Sequence, residues 1–113
     1  MSDERHRRGL AITRSRTSTT IQKSLDENGI DVIMGPADAR IASVAAAAGY
    51  PVATVPLGFA DFNGRAFGMN IIAPAGQEHE IFRVMSAWET TFGPRKPPPI
   101  LEQWDACSTG VLI

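Results

Sequence analysis

The distribution of apolar and polar residues predicts a charged N-terminal region followed by a short helix. Residues 2–16 are charged and only weakly periodic, so they predict either a frayed helix or the end of a longer one. Thr17 or Ser18 is expected to cap a helix, because hydroxyl side chains accept hydrogen bonds from the free amides of a first turn. Asn28-Gly29 is expected to end that helix, since glycine readily adopts the left-handed conformation found there.

Two apolar segments flank an alanine-rich helix in the next part of the chain. Residues 30–34 are almost continuously apolar and predict a strand covered on both faces. Asp38 is the expected cap of a helix over residues 39–48, and residues 52–57 form the second predicted strand. A strand, a helix and a strand within about thirty residues predict a βαβ unit with parallel strands.

The C-terminal half predicts a hairpin and one amphipathic helix. Asn63-Gly64 lies between apolar segments and is typical of a tight turn, so residues 67–73 are expected to return antiparallel to the second strand. Acidic residues open the helix predicted over residues 78–92, where they suit the helix dipole. The predicted core consists of Ile33, Val44, Val55, Ile71, Met85 and Trp88.

These elements predict an α/β fold with a small mixed sheet of about three strands and packed helices. The 113 residues suffice for at most one domain, and the net charge of −1 provides no basic field for nucleic acid. Cys107 is the only cysteine, which favours a reducing, cytoplasmic location. The arginines near the N-terminus suggest a mitochondrial transit peptide, but Asp3 and Glu4 argue against that interpretation.

Five segments resemble, in order, the C-terminal portion of the amidase signature family. They are the strand Asp31-Val32-Ile33-Met34-Gly35-Pro36, the block from Ala48-Gly49-Tyr50-Pro51 to Pro56-Leu57-Gly58, the segment Gly64-Arg65-Ala66-Phe67-Gly68-Met69, the helix over residues 78–92, and Arg95-Lys96-Pro97-Pro98. The resemblance covers residues 25–99 and implies the C-terminal part of an α/β/α sandwich. Residues 1–24 are then a charged, partly helical N-terminal segment, and residues 100–113 are a tail.

The resemblance implies hydrolysis of carboxamides through a Ser–cis-Ser–Lys triad, but none of these catalytic residues can be assigned here. The 113 residues contain no Gly-Gly-Ser-Ser stretch and no Ser-x-x-Lys. Lys23 and Lys96 are the only lysines, and neither occupies a position that predicts the burial a neutral base requires. The expected protein is therefore a catalytically incomplete amidase fragment or truncated paralogue. The alternatives are a non-catalytic interaction remnant and a full-length amidase whose gene start was misplaced.

The candidate pocket residues are Pro36, Asp38 and Arg40. They follow the first strand at its carboxyl end, where open α/β sheets bind ligands. The simpler interpretation is a helix cap and a surface charge. No cofactor and no metal are expected. The expected partners are a missing amidase half or a second copy of the chain, with a small amide as substrate only if the enzyme is completed.

Other residue combinations give weaker indications of chemistry. His79 with Cys107 could suggest a Cys–His pair, although no nearby group would lower the thiol pKa. Glu78, His79 and Glu80 are consecutive on a helix and point in different directions, so they predict an acidic helix start rather than a metal site. Trp104 could anchor a partner.

Overall fold

The computed structural model describes residues 2–101, whose complete elements are three helices and one sheet; residues 99–101 are also helical. In chain order the elements are α1 (Asp3–Asn28), β1 (Ile33–Pro36), α2 (Ile41–Ala48), β2 (Val52–Phe59), β3 (Ala66–Ile72) and α3 (Glu78–Phe92). This confirms the α/β class, with a three-stranded sheet and packed helices. No helix within residues 2–101 combines the length and apolar character needed to cross a membrane.

The N-terminal helix α1 is continuous over 26 residues, so the predicted start at Thr17 or Ser18 is wrong. The hydroxyl of Ser2 instead accepts a hydrogen bond from the Arg5 amide at 3.4 Å and caps the helix. The hydroxyls of Thr17 and Ser18 donate to carbonyl oxygens of the preceding turn. These hydroxyl groups find hydrogen-bond acceptors within the helix, so they do not mark its start. Gly29, in the left-handed conformation at φ 61°, ends α1 as predicted.

The sheet has the strand order β1-β3-β2, and both pairings are antiparallel. The predicted mixed sheet is therefore corrected to an antiparallel one. The strands β1 and β2 run in the same direction, as expected for a βαβ unit, but β3 lies between them. The hairpin that follows β2 returns into this gap, because β3 can then pair on both of its edges.

The turn that joins β2 to β3 contains Asn63-Gly64, as predicted. It is longer than a two-residue turn: the Ala60 amide donates to the Arg65 carbonyl at 2.8 Å and closes the hairpin. The Asn63 side chain accepts from the Arg65 amide at 2.9 Å, and Gly64 has a φ of 67°. Asparagine and glycine thus provide the side-chain bond and the left-handed backbone that this turn requires.

The sheet is covered on both faces. The helix α3 lies on one face, where Val55, Ile71, Ala73 and Ile81 form the core. On the other face, α2 packs over β3, and α1 packs against α2 with Ile21, Leu25 and Ala48 buried between them. The described region is consequently a three-layer α/β/α arrangement.

The predicted core is partly confirmed. Val55 and Ile71 are buried, and Ile33, Met85 and Trp88 are half-buried. Val44 is 44% exposed, so its prediction as a core residue is wrong. The eight-residue helix α2 buries only the narrow alanine face formed by Ala45 and Ala48, and Val44 lies beside that face.

Candidate functional site

The candidate pocket residues lie together in the turn between β1 and α2. Pro36 is the last residue of β1, and the turn begins with the Ala37 amide donating to the Gly68 carbonyl at 3.0 Å. Asp38 and Arg40 follow, and all three predicted residues are exposed to solvent. The turn therefore presents one carboxylate and one guanidinium at the end of β1, without enclosing them.

Asp38 does not cap α2, which corrects the prediction. The helix begins at Ile41, and Arg40 occupies the cap position without a side-chain hydrogen bond to the helix. A tight turn intervenes, in which the Ala39 amide donates to the Pro36 carbonyl at 3.1 Å. This turn moves the helix start past Asp38, so its carboxylate is not engaged in capping.

Two glycines allow close packing of the elements that support this turn. A methyl group at Gly35 would lie 2.8 Å from Cδ1 of Ile41, the first residue of α2. A methyl group at Gly68, opposite Pro56 on β2, would collide with the backbone carbonyl oxygen of Val55. The strands and the helix that flank the turn are therefore closely packed at Gly35 and Gly68.

A hydrogen-bonded polar pair, of which only Asn70 is buried, lies in the sheet next to the turn. Asn70 on β3 is 3% exposed and lies opposite Gly35 on one side and Thr54 on the other. The Thr54 hydroxyl donates to Asn70 Oδ1 at 2.6 Å. This pair was not predicted from the sequence, although an asparagine inside an otherwise apolar strand is a usable signal, because a buried amide requires a partner.

A cavity of about 400 Å³ opens elsewhere, between the C-terminal end of α1 and the start of α3. Its lining includes Gln22, Asp26, Asp31, Gln77 and Glu80. None of the three predicted pocket residues lines it. The structure therefore brings Pro36, Asp38 and Arg40 into one turn but does not connect that turn with this cavity.

The remaining candidate groups within the described residues are exposed, except Glu80, which is half-buried. Lys23 is exposed and lies 3.6 Å from Glu27, as expected for a solvated lysine. Glu80 lies 2.9 Å from Arg83 and 3.2 Å from His79. No cluster of metal-ligating side chains occurs within residues 2–101. Cys107 and Trp104 lie outside the described residues.

Comparison with known proteins relates this fold to one enzyme family. No protein-family model matches the chain. No curated protein matches it either. Among solved structures, the chain is similar to an amidase family protein from Bacillus anthracis, with 26% identity and a TM-score of 0.77. The match covers 87% of this chain and 19% of the other. The chain thus spans about a fifth of that protein, and the similarity supports a relationship to the amidase family.

Proposed function

We propose that this chain corresponds to a C-terminal segment of an amidase signature enzyme and hydrolyses no amide by itself. The observation that carries the proposal is the combination of an amidase-like fold over 87% of the chain with the lack of a serine-rich catalytic motif in its 113 residues. A serine nucleophile needs an adjacent base and an oxyanion hole. Here the only two lysines are both exposed.

Within this proposal, amide hydrolysis requires a second polypeptide that provides the Ser–cis-Ser–Lys residues. The chain would then contribute the turn of Pro36, Asp38 and Arg40 to the wall of the substrate pocket. The exposure of these residues at the end of β1 supports that role, because a partner can enclose them without displacing core residues. A cytoplasmic location belongs to the same proposal and is supported by the single cysteine.

The first experiment measures activity of the chain alone. The purified 113-residue protein is incubated with a serine-directed fluorophosphonate probe and with aryl and alkyl amides. We expect no labelling and hydrolysis no faster than in buffer. Stoichiometric labelling of one serine, with hydrolysis lost when that serine is replaced by alanine, would contradict the proposal.

The second experiment tests complementation. An amidase family protein lacking the segment equivalent to this chain is mixed with the purified chain. We expect amide hydrolysis in the mixture only, and a lower kcat/KM when the chain carries Asp38→Ala or Arg40→Ala. Lys23→Ala is the control, because Lys23 is an exposed charged side chain on α1 that pairs with Glu27 and not with a residue of the turn. Equal kcat/KM values for all three variants would show that the turn does not line the substrate pocket.

A non-catalytic interaction module is the second candidate function. It is favoured by the edge of the sheet at β2, which no strand within residues 2–101 pairs with and where Val52 and Leu57 are 42% and 43% exposed. Recovery of activity on complementation favours the first function. Stable association without activity favours the second.

A further inference from the structure

The outer edge of β2 has free backbone groups at two positions. The Ala73 amide donates to the Pro51 carbonyl at 3.4 Å, so the backbone groups of Pro51 point toward β3. In an antiparallel pair the direction of these groups alternates along the strand. The backbone groups of Ala53 and Val55 therefore also point toward β3, and those of Val52 and Thr54 point away from the sheet.

A proline bounds the free edge on each side of Val52 and Thr54. Pro56 also points outward, but it has no amide hydrogen, and its carbonyl oxygen accepts from Trp88 Nε1 at 2.9 Å. Pro51 bounds the other end. Within residues 2–101, nothing bonds to the outward amides and carbonyls of Val52 and Thr54. The free edge is therefore the segment 51–55, which is centred on Ala53.

The side chains of this edge offer no protection against strand pairing. Natural edge strands usually carry charges, often lysine, that oppose association. The strand β2 contains no charged residue, and both Val52 and Thr54 are exposed. The opposite edge of the sheet is less available: within β1 only Met34 points outward with free groups, because the Pro36 carbonyl is taken by the Ala39 amide.

We propose that a second copy of this chain pairs with the β2 edge and forms a symmetric, continuous six-stranded sheet. The register places Ala53 opposite Ala53 of the other copy, so that Val52 of each copy faces Thr54 of the other. Each Val52–Thr54 pair then exchanges two backbone hydrogen bonds, which gives four in total. A second copy fits because the segment is self-complementary: each outward residue offers one donor and one acceptor, and no like charges meet.

This inference does not depend on the catalytic proposal, and the mass of the protein in solution tests it. Light scattering after size exclusion is expected to show a mass rising from 12.2 kDa toward twice that value as concentration increases. Thr54→Pro removes the outward amide without removing a bond to β3, so we expect it to abolish the increase. Thr54→Val loses the hydroxyl bond to Asn70 but keeps the amide, and it should associate like the unchanged protein.

Cross-linking tests the register and remains informative if the proline variant fails to fold. In a Cys107→Ser background, Ala53→Cys places two thiols at a non-hydrogen-bonded pair, where facing Cβ atoms approach to about 4.5–5.5 Å. Mild oxidation is expected to give a disulfide-linked dimer. Ala87→Cys, which is exposed on α3, is the control and should not cross-link. A monomer at every concentration, an unchanged dimer of Thr54→Pro, or equal cross-linking at both cysteines would overturn the proposal.

Discussion

Gly68 is the residue at which the sheet leaves the least space for a side chain. Its position in β3 is opposite Pro56, where β2 shifts register between Pro56 and Gly58. The irregularity brings the Val55 carbonyl over the α-carbon of Gly68. Glycine is therefore required at position 68 by a neighbouring backbone group, which cannot move as a side chain can.

The substitution Gly68→Ala is expected to destabilise the fold by about 1–3 kcal/mol, the usual cost of inserting a methyl group into a packed site. Gly35→Ala should cost less, because the group that it meets is the flexible end of the Ile41 side chain. Urea denaturation followed by circular dichroism measures both. Equal costs for the two variants would contradict this explanation.

Gly9→Ala is the matched control for these substitutions. Gly9 lies in the exposed half of α1, and a methyl group there has no atom within 4 Å. Because alanine is favoured over glycine inside a helix by about 1 kcal/mol, the same chemical change should increase the helix content and leave the core unaffected.

Trp88 links α3 to the end of the free edge. Its ring is half-buried and packs at a tilt of 37° against Phe92 with a centroid separation of 4.3 Å, and its Nε1 donates to the Pro56 carbonyl. Trp88→Phe should lower the free energy of unfolding by about 1 kcal/mol through loss of the hydrogen bond. Trp88→Ala should cost about 3 kcal/mol, at the lower end for aromatic truncation because the ring is not fully buried. Chemical denaturation compares them, and a cost under about 0.5 kcal/mol for alanine would mean that the ring contributes no packing.

At the level of elements, α1 is divided into an exposed first half, whose Arg14 side chain lies beside Gly49 at the end of α2, and a packed second half. All residues from 3 to 16 are exposed, whereas Ile21 and Leu25 are 5% and 3% exposed. Isolated helices shorter than about 12–15 residues are marginal in water. The first half therefore depends on continuity with the second, and the second depends on its contact with α2.

Removal of residues 2–12 is expected to leave the melting temperature nearly unchanged, because no buried side chain is lost. Leu25→Ala should instead destabilise the protein by about 2–5 kcal/mol, as a buried leucine does. Differential scanning fluorimetry of the two variants measures the contrast. If the deletion lowered the melting temperature as much as Leu25→Ala does, the exposed half of α1 would have a supporting contact.

Sequence patterns predicted best those elements whose ends are determined by residues close by in the sequence. The boundaries of α3 match the prediction over residues 78–92 because acidic residues and a glycine mark its two ends. The hairpin follows from Asn63-Gly64. The order of the strands depends on where β3 inserts, and no local pattern encodes that. The length of α1 was missed since its hydroxyl residues suit either a cap or a helix interior.

At the scale of the whole molecule, the described chain is extended. The radius of gyration is 18.9 Å, against about 13 Å for a compact domain of 100 residues. The projecting half of α1 and the edge of β2, which nothing within residues 2–101 pairs with, both increase the surface relative to the core. The candidate site was predicted only in part. The sequence predicted that Pro36, Asp38 and Arg40 lie together after β1. It did not predict an enclosed pocket, because the walls of a pocket come from residues that are distant in the sequence.

Because the chain has a large surface relative to its core, we expect association to stabilise it, and its stability should then depend on protein concentration. A species that associates only when folded is stabilised by mass action, so its melting temperature rises with protein concentration. We expect such a rise for the unchanged chain and for Thr54→Val, and a concentration-independent melting temperature for Thr54→Pro. Because the comparison uses the slope for each variant, any intrinsic destabilisation by proline cancels. A melting temperature above about 60 °C, beyond most of the usual mesophile range, that does not change with concentration would show that the chain is a self-sufficient domain with no need of a second strand.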